Sequence, residues 1–373
     1  MSETKSWRSW RFVRWSLLLL ALLGLPISAG AYSEREVVQD EVAALLTARD
    51  YTALDALVVR YEQGERTASG MWKLTSFDRG IAATMGHTAT DDPAWEAVDR
   101  SLKEWIAHSP QSAAARLAFA RALLTRAWAY RGTGFANTVE QEDLAAFKQL
   151  VEQARVYLLE HEPVAGLNPL WYQMMLEVGK SQDWPQQQYL EMSDAGLDRF
   201  PGYYQLYFQV AGNFLPQWGG SLSAIEDFAR AAVKRTEATE GATLYARIYW
   251  LVYQTALGKT IFTQSKVDWP LMRRGIEDIL DKYPDQWNIN NFAKFACLAR
   301  DSELNIRLTS KITTPSAPAV WRDQQELETC RHAAQRGWSL TMALRANYYW
   351  VIGSFGVLLL LGLFLHRRTS PAR

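Results

Sequence analysis

Cysteine is scarce in this chain: among 373 residues it occurs only at Cys297 and Cys330. Histidine is nearly as rare, at His87, His108, His161, His332 and His366. These are scattered, and none stands at ligand spacing from another or from the cysteines, so no metal site is expected. The dipeptides Asn-Gly and Asp-Gly, the strongest short hairpin signals, are absent, as are alternating β-branched runs. This excludes a β-rich fold. There is no G-x-S-x-G elbow, no H-E-x-x-H and no phosphate-binding G-x-x-x-x-G-K. These absences imply no enzyme activity and no cofactor. Net charge is also missing: 40 Lys and Arg balance 40 Asp and Glu. The balance is uneven along the chain. Lys5, Arg8, Arg11 and Arg14 face only Glu3 at one end, and Arg367, Arg368 and Arg373 close the other. The middle is consequently acidic, which argues against nucleic acid as a partner, because that needs a basic face.

What the chain does have is helix-forming composition. Ala, Leu, Gln, Glu and Arg dominate the middle. Helices are expected near 34–48, 52–63, 92–107, 111–130, 139–160, 168–180, 186–198, 203–213, 221–235, 242–257, 270–282, 287–300, 302–311 and 320–337. The segment 64–91 is left unassigned, with room for one more. The stretch 200–235 shows the pattern best. Pro201 separates two helices, since its ring fixes φ and it lacks an N–H. Tyr203, Tyr204, Tyr207, Phe208 and Ala211 then recur at helical spacing. Trp218-Gly219-Gly220 breaks that helix, and Ser221 can cap the next.

Two junction types recur. One places Pro after Ser or an aromatic residue, at Ser109-Pro110, Phe200-Pro201 and Tyr283-Pro284. The other is an Asp turn, at Arg49-Asp50, Gln182-Asp183 and Arg300-Asp301, where the carboxylate can accept the free N–H groups of the next helix. Together they predict an all-α fold: an irregular, tetratricopeptide-like array of helical hairpins without a fixed period. Acidic pairs such as Asp91-Asp92 and Glu142-Asp143 fall at helix starts, where they complement the dipole. Arg131-Gly132-Thr133-Gly134 reads as a loop between helices, although its cation and glycines could cradle an anion.

Both ends are hydrophobic. Residues 15–31 follow four cations, contain a Pro break and end in Ala29-Gly30-Ala31. This fits a signal peptide cleaved after Ala31, and equally an uncleaved signal anchor. Residues 346–365 are uncharged and long enough to span a bilayer, with Tyr348, Tyr349 and Trp350 at one end and His366, Arg367 and Arg368 at the other. A buried core helix is the competing reading. The expected organisation is a signal or anchor segment over 1–31, an extracytoplasmic helical domain over 32–345, a transmembrane helix over 346–365 and a cytoplasmic tail over 366–373. In a bacterium the anchor would lie in the inner membrane and the domain in the periplasm. In such an oxidising compartment Cys297 and Cys330 are candidates for a disulfide, the alternative being two separate buried thiols.

The stretches Leu215-Pro216-Gln217-Trp218-Gly219-Gly220-Ser221, Arg126-Ala127-Trp128-Ala129-Tyr130-Arg131-Gly132-Thr133-Gly134 and Asn288–Asp301 carry a resemblance. On them the chain resembles a bacterial family, domain of unknown function 4034, over most of 35–335. The resemblance implies an α-helical, repeat-like domain and confers no activity.

The sequence holds 16 Trp and 16 Tyr. Many lie in the second half of the domain. Their ordinary role is packing between helices. The functional alternative is a concave groove in which Tyr203, Tyr204, Trp218 and Tyr249 face a ligand and Arg247 is a polar anchor. Three functions follow as expectations. The first is a membrane-anchored helical scaffold binding a protein or peptide partner outside the cytoplasm. The second, a special case of it, is an assembly or folding factor for envelope proteins. The third is an envelope-polymer hydrolase, which would need two carboxylates facing each other across a cleft.

Overall fold

The computed structural model describes residues 33–338 except 87, 133, 135–137 and 314–319. The expected signal or anchor segment and the expected transmembrane helix lie outside the described residues. Among the described residues no helix is long and apolar enough to cross a membrane.

The described chain is all-α, with no strand. Its helices are α1 (Glu34–Ala48), α2 (Tyr51–Glu62), α3 (Lys73–Ala83), α4 (Asp92–His108), α5 (Ala113–Arg131), α6 (Gln141–Glu160), α7 (Glu162–Ala165), α8 (Pro169–Ser181) and α9 (Gln186–Arg199). They continue as α10 (Tyr204–Asn213), α11 (Leu222–Glu240), α12 (Thr243–Val252), α13 (Ile261–Gln264), α14 (Trp269–Lys282), α15 (Gln286–Leu298), α16 (Ser302–Thr309) and α17 (Gln324–Arg336). The unassigned 64–91 contains α3, as allowed for. The short α7 and α13 were not expected, since a single turn leaves no periodicity to read.

Local chemistry sets the boundaries. Asp50 accepts from Ala53 N at 3.0 Å and Asp301 from Leu304 N at 2.9 Å, each opening a helix. Arg49 and Arg300, just before them, adopt the left-handed backbone that stops the preceding helix. Asp183 departs from this pattern. It takes the left-handed conformation itself, and α9 begins three residues later with no side-chain cap. Ser221 caps α11 through Ala224 N at 3.1 Å. After Pro110 and Pro284 the caps are Ser112 and Asp285. After Pro201 a turn intervenes before α10 starts at Tyr204.

Most helices pack on their successors, and several on the next but one. The run α3, α5, α8, α10, α12 is in contact from member to member, with α4, α6, α9 and α11 packed against it. The run forms the interior. In α8, Leu170, Trp171, Met174, Met175 and Leu176 are all buried, and in α12 Leu244, Tyr245, Ile248 and Tyr249 are fully so. Small residues permit close approach: a Cβ on Gly275 would lie 2.3 Å from Ala242 O, and one on Gly80 would lie 2.7 Å from Gln39 O.

Asp78, Arg121, Glu226, Glu240 and Lys294 are buried and paired. The Arg121 guanidinium meets Asp78 through two bonds, 2.9 and 3.0 Å, and Glu177 at 2.8 Å. This ties α5 to α3 and α8. Glu226 in α11 accepts from the hydroxyls of Tyr245 and Tyr249 and from Arg230 Nε. At the far end a disulfide joins Cys297 in α15 to Cys330 in α17, with Cα atoms 5.6 Å apart. Lys294 pairs with Glu326 at 2.6 Å beside it.

Candidate functional site: a cationic aromatic cleft

The loop between α2 and α3 organises the site. Gly64 and Gly70 adopt positive φ, and Arg66 and Trp72 form an isolated antiparallel bridge, so residues 63–72 make a tight finger. Thr67 N donates to Met71 O at 2.8 Å and Lys73 N to Glu65 O at 2.9 Å. The finger reaches across to the second half of the chain. Arg66 Nη2 donates to Gly202 O at 3.3 Å and lies 3.4 Å from Glu240 Oε1. Ser69 O accepts from Arg247 Nη2 at 3.3 Å and from Asn288 Nδ2 at 3.1 Å. Gly70 must be glycine here: its φ is +84°, and a Cβ would fall 2.6 Å from Tyr283 Cδ2 and 2.7 Å from Arg247 Nη2.

Where the finger meets α10, α12 and α15 a cleft of about 70 Å³ remains. Trp72, Tyr204, Phe208, Trp250 and Trp287 supply aromatic walls, and Arg35 and Arg247 supply charge. Tyr204 is clamped between two guanidiniums, with Arg66 4.5 Å and Arg247 4.7 Å from its ring centroid. Its hydroxyl donates to Glu240 Oε2 at 2.7 Å, and burial pushes its pKa well up. The Arg35 guanidinium lies over Trp287 at 5.2 Å.

The two cations that line the cleft are under-satisfied. Arg66 has Glu240 as counterion, but neither Arg35 nor Arg247 makes an ion pair with any described residue. Arg247 Nε is buried without a hydrogen-bond partner, and so is Trp72 Nε1. Burial lowers the pKa of both arginines, opposed at Arg247 by Tyr204 and Glu240 and helped there by Arg66, and helped at Arg35 by Arg79 against Glu36. Asp285, at the start of α15, has its pKa raised by burial.

The five residues expected to form one groove are divided by the structure. Tyr204 and Arg247 meet in the cleft. Tyr203 is fully buried beneath it, accepting from Thr75 Oγ1 at 3.2 Å and donating to Gln173 Oε1 at 3.1 Å. Tyr249 is equally buried and spent on Glu226. These two are core, because successive positions on a helix face different neighbours. Trp218 is 49% exposed and lines a separate hollow, where the Lys180 ammonium sits 3.7 Å from its ring centroid. Arg35 and Trp72 were not expected in the cleft, whereas Trp250 and Trp287 belong to the aromatic cluster from which a groove was expected. Among the described residues no three His, Cys, Asp or Glu side chains converge on a metal site.

A family model described as Domain of unknown function (DUF4034) matches residues 39–180. The chain is similar to that family from within α1 to the last turn of α8, a narrower span than the 35–335 expected. The match includes the Arg126–Gly134 stretch and the finger, whereas Leu215–Ser221 and Asn288–Asp301 lie beyond it. No curated protein and no solved structure matches the chain.

Proposed function

We propose that this chain is a binding module, a tetratricopeptide-like helical scaffold held at a membrane with its domain outside the cytoplasm, and that the cleft at the finger receives a segment of a protein partner. The observation that carries the reading is the cleft itself. Six aromatic side chains line a cleft with two guanidiniums that make no direct ion pair with a described residue, and aromatic residues with arginine are the usual energetic centre of a recognition surface. The stepwise contact of α3, α5, α8, α10 and α12 supports a solenoid-like array, whose inner surface is where such modules take ligands. The location rests on the sequence: the hydrophobic stretches 15–31 and 346–365, each with cations on one flank. The Cys297–Cys330 disulfide accords with an oxidising compartment.

The test is site-specific photocrosslinking in intact cells. A photoreactive amino acid at Phe208, on the cleft wall, is expected to capture a discrete protein, whereas one at exposed Val156 on α6 captures none. Equal, diffuse crosslinking from both positions would sink the binding role. A reporter fused after residue 338 that is active only in the cytosol would sink the location.

A further inference from the structure

We infer that the cleft is a carboxylate-recognition site, and that the segment it takes is the free C-terminus of a polypeptide. The inference rests on the binding role proposed above and names its ligand class. Arg35 and Arg247, 212 residues apart in sequence, line one cleft, and neither makes a direct ion pair with a described residue. Arg247 offers five N–H donors in a rigid fork. One bond is used, from Nη2 to Ser69 O, and the buried Nε has no partner. Glu240 and Asp285 act on Arg247 only at a distance, and a cation with a buried, unbonded N–H gains from a direct anionic partner.

The shape selects the anion. The cleft holds about 70 Å³, where roughly 10–15 Å³ suffices for one water. A carboxylate group fits that space, and its planar pair of oxygens matches a guanidinium fork. Glu240 does not serve as this anion, because it is held by Arg66, Tyr204 and Lys282. Asp285 is committed to capping α15 through Asn288 N at 2.9 Å.

The surroundings select a peptide as the carrier. The Gln205 side chain lines the cleft, makes no hydrogen bond with a described residue and can accept from or donate to a backbone amide. Phe208, Trp250 and Phe292 present apolar surface for the terminal side chains. Capture of a chain terminus by fixed donors beside apolar pockets is an established recognition mode. Asn288 and Asn291 are not free for this: Asn288 donates to Ser69 O, and Asn291 accepts from Trp250 Nε1 at 3.0 Å.

Calorimetry on the full-length, detergent-solubilised chain tests this with a pair of probes. One is N-acetyl-Leu-Ala with a free carboxylate; the other is the same dipeptide as its C-terminal amide. The acid is expected to bind at least tenfold more tightly, because the charged hydrogen bonds are lost in the amide. Arg247→Gln should abolish that preference, and Arg35→Gln should reduce it severalfold with the helical circular dichroism unchanged. Should Arg247→Gln fail to fold, Arg35→Gln decides alone. Equal binding of acid and amide, no binding of either, or stronger competition by inorganic phosphate than by acetate would overturn the inference. Crosslinking from Phe208 to a partner with no preference for the acid would refute the ligand class and leave the binding role intact. Preference for the acid with no partner captured would do the reverse.

Discussion

Removing the Cys297–Cys330 bridge is the sharpest perturbation of the fold. The two cysteines are 33 residues apart and enclose the end of α15, all of α16 and the first half of α17. A crosslink acts mainly by restricting the unfolded chain, and the loop-entropy relation gives about 3.7 kcal/mol for a closed loop of this length. The native contacts around it do not depend on the sulfur bond. Leu304, Leu308 and Leu327 are buried at the interface of these helices, and Lys294 holds Glu326. Reduced protein and the Cys297→Ser/Cys330→Ser variant should therefore keep the native helical signal while losing about 2–4 kcal/mol in urea-induced unfolding. The loss should concentrate in the C-terminal helices, and hydrogen exchange in α16 and α17 should accelerate before that in α8. Thiol titration of native protein isolated without reductant should find no free cysteine. Two titratable thiols, or unfolding midpoints that coincide with and without reductant, would refute the reasoning.

Other perturbations test other parts. Arg121→Met leaves buried Asp78 and half-buried Glu177 without their cation and should cost about 3–5 kcal/mol by chemical denaturation. Gly70→Ala puts a Cβ against Tyr283 and Arg247 in a backbone region that disfavours it, so the finger should shift and stability should fall by roughly 1–3 kcal/mol, read as a lower melting temperature. Burial works against the charge of Glu326, but Lys259 and Lys294 hold its pKa down to about 2 from the ordinary 4.5. Its contribution is thus complete above about pH 4.5 and is lost as the pH falls towards 2. Glu326→Gln should flatten that part of the pH–stability curve. Trp218→Ala, at a half-exposed side chain, should change stability by less than about 1 kcal/mol, whereas Tyr203→Ala in the core should cost about 3–5 kcal/mol.

The helices were legible because their signals are local. Asp50, Ser221 and Asp301 cap where their sequence neighbours say they should, and the apolar spacing in 203–213 and 221–235 marks real buried faces. The cleft was only half legible. A tyrosine on a helix facing the core and one facing a hollow look alike in sequence, which is why Tyr203 and Tyr249 were grouped with Tyr204. The remaining cleft residues come from far away along the chain. Arg35 lies in the first turn of α1, and Ser69 reaches Arg247 across 178 residues and Asn288 across 219. The finger lay in the one segment without periodicity, and only its pair of glycines, Gly64 and Gly70, hinted at a constrained turn. Asp183 shows the limit of motif reading even locally: a turn of the right composition used the residue's backbone and not its carboxylate.

The reach of the finger changes how the molecule should respond to force. Repeat arrays with free ends behave like ribbons that peel from either terminus, one unit at a time. Here residues 66–70 grip α11, α12 and α15, so the early and late helices are clasped and the ribbon becomes a ring. Pulled in an optical trap, the intact domain should yield in one large step. With the clasp weakened by Arg66→Ala, the same pull should unravel it in several small ones.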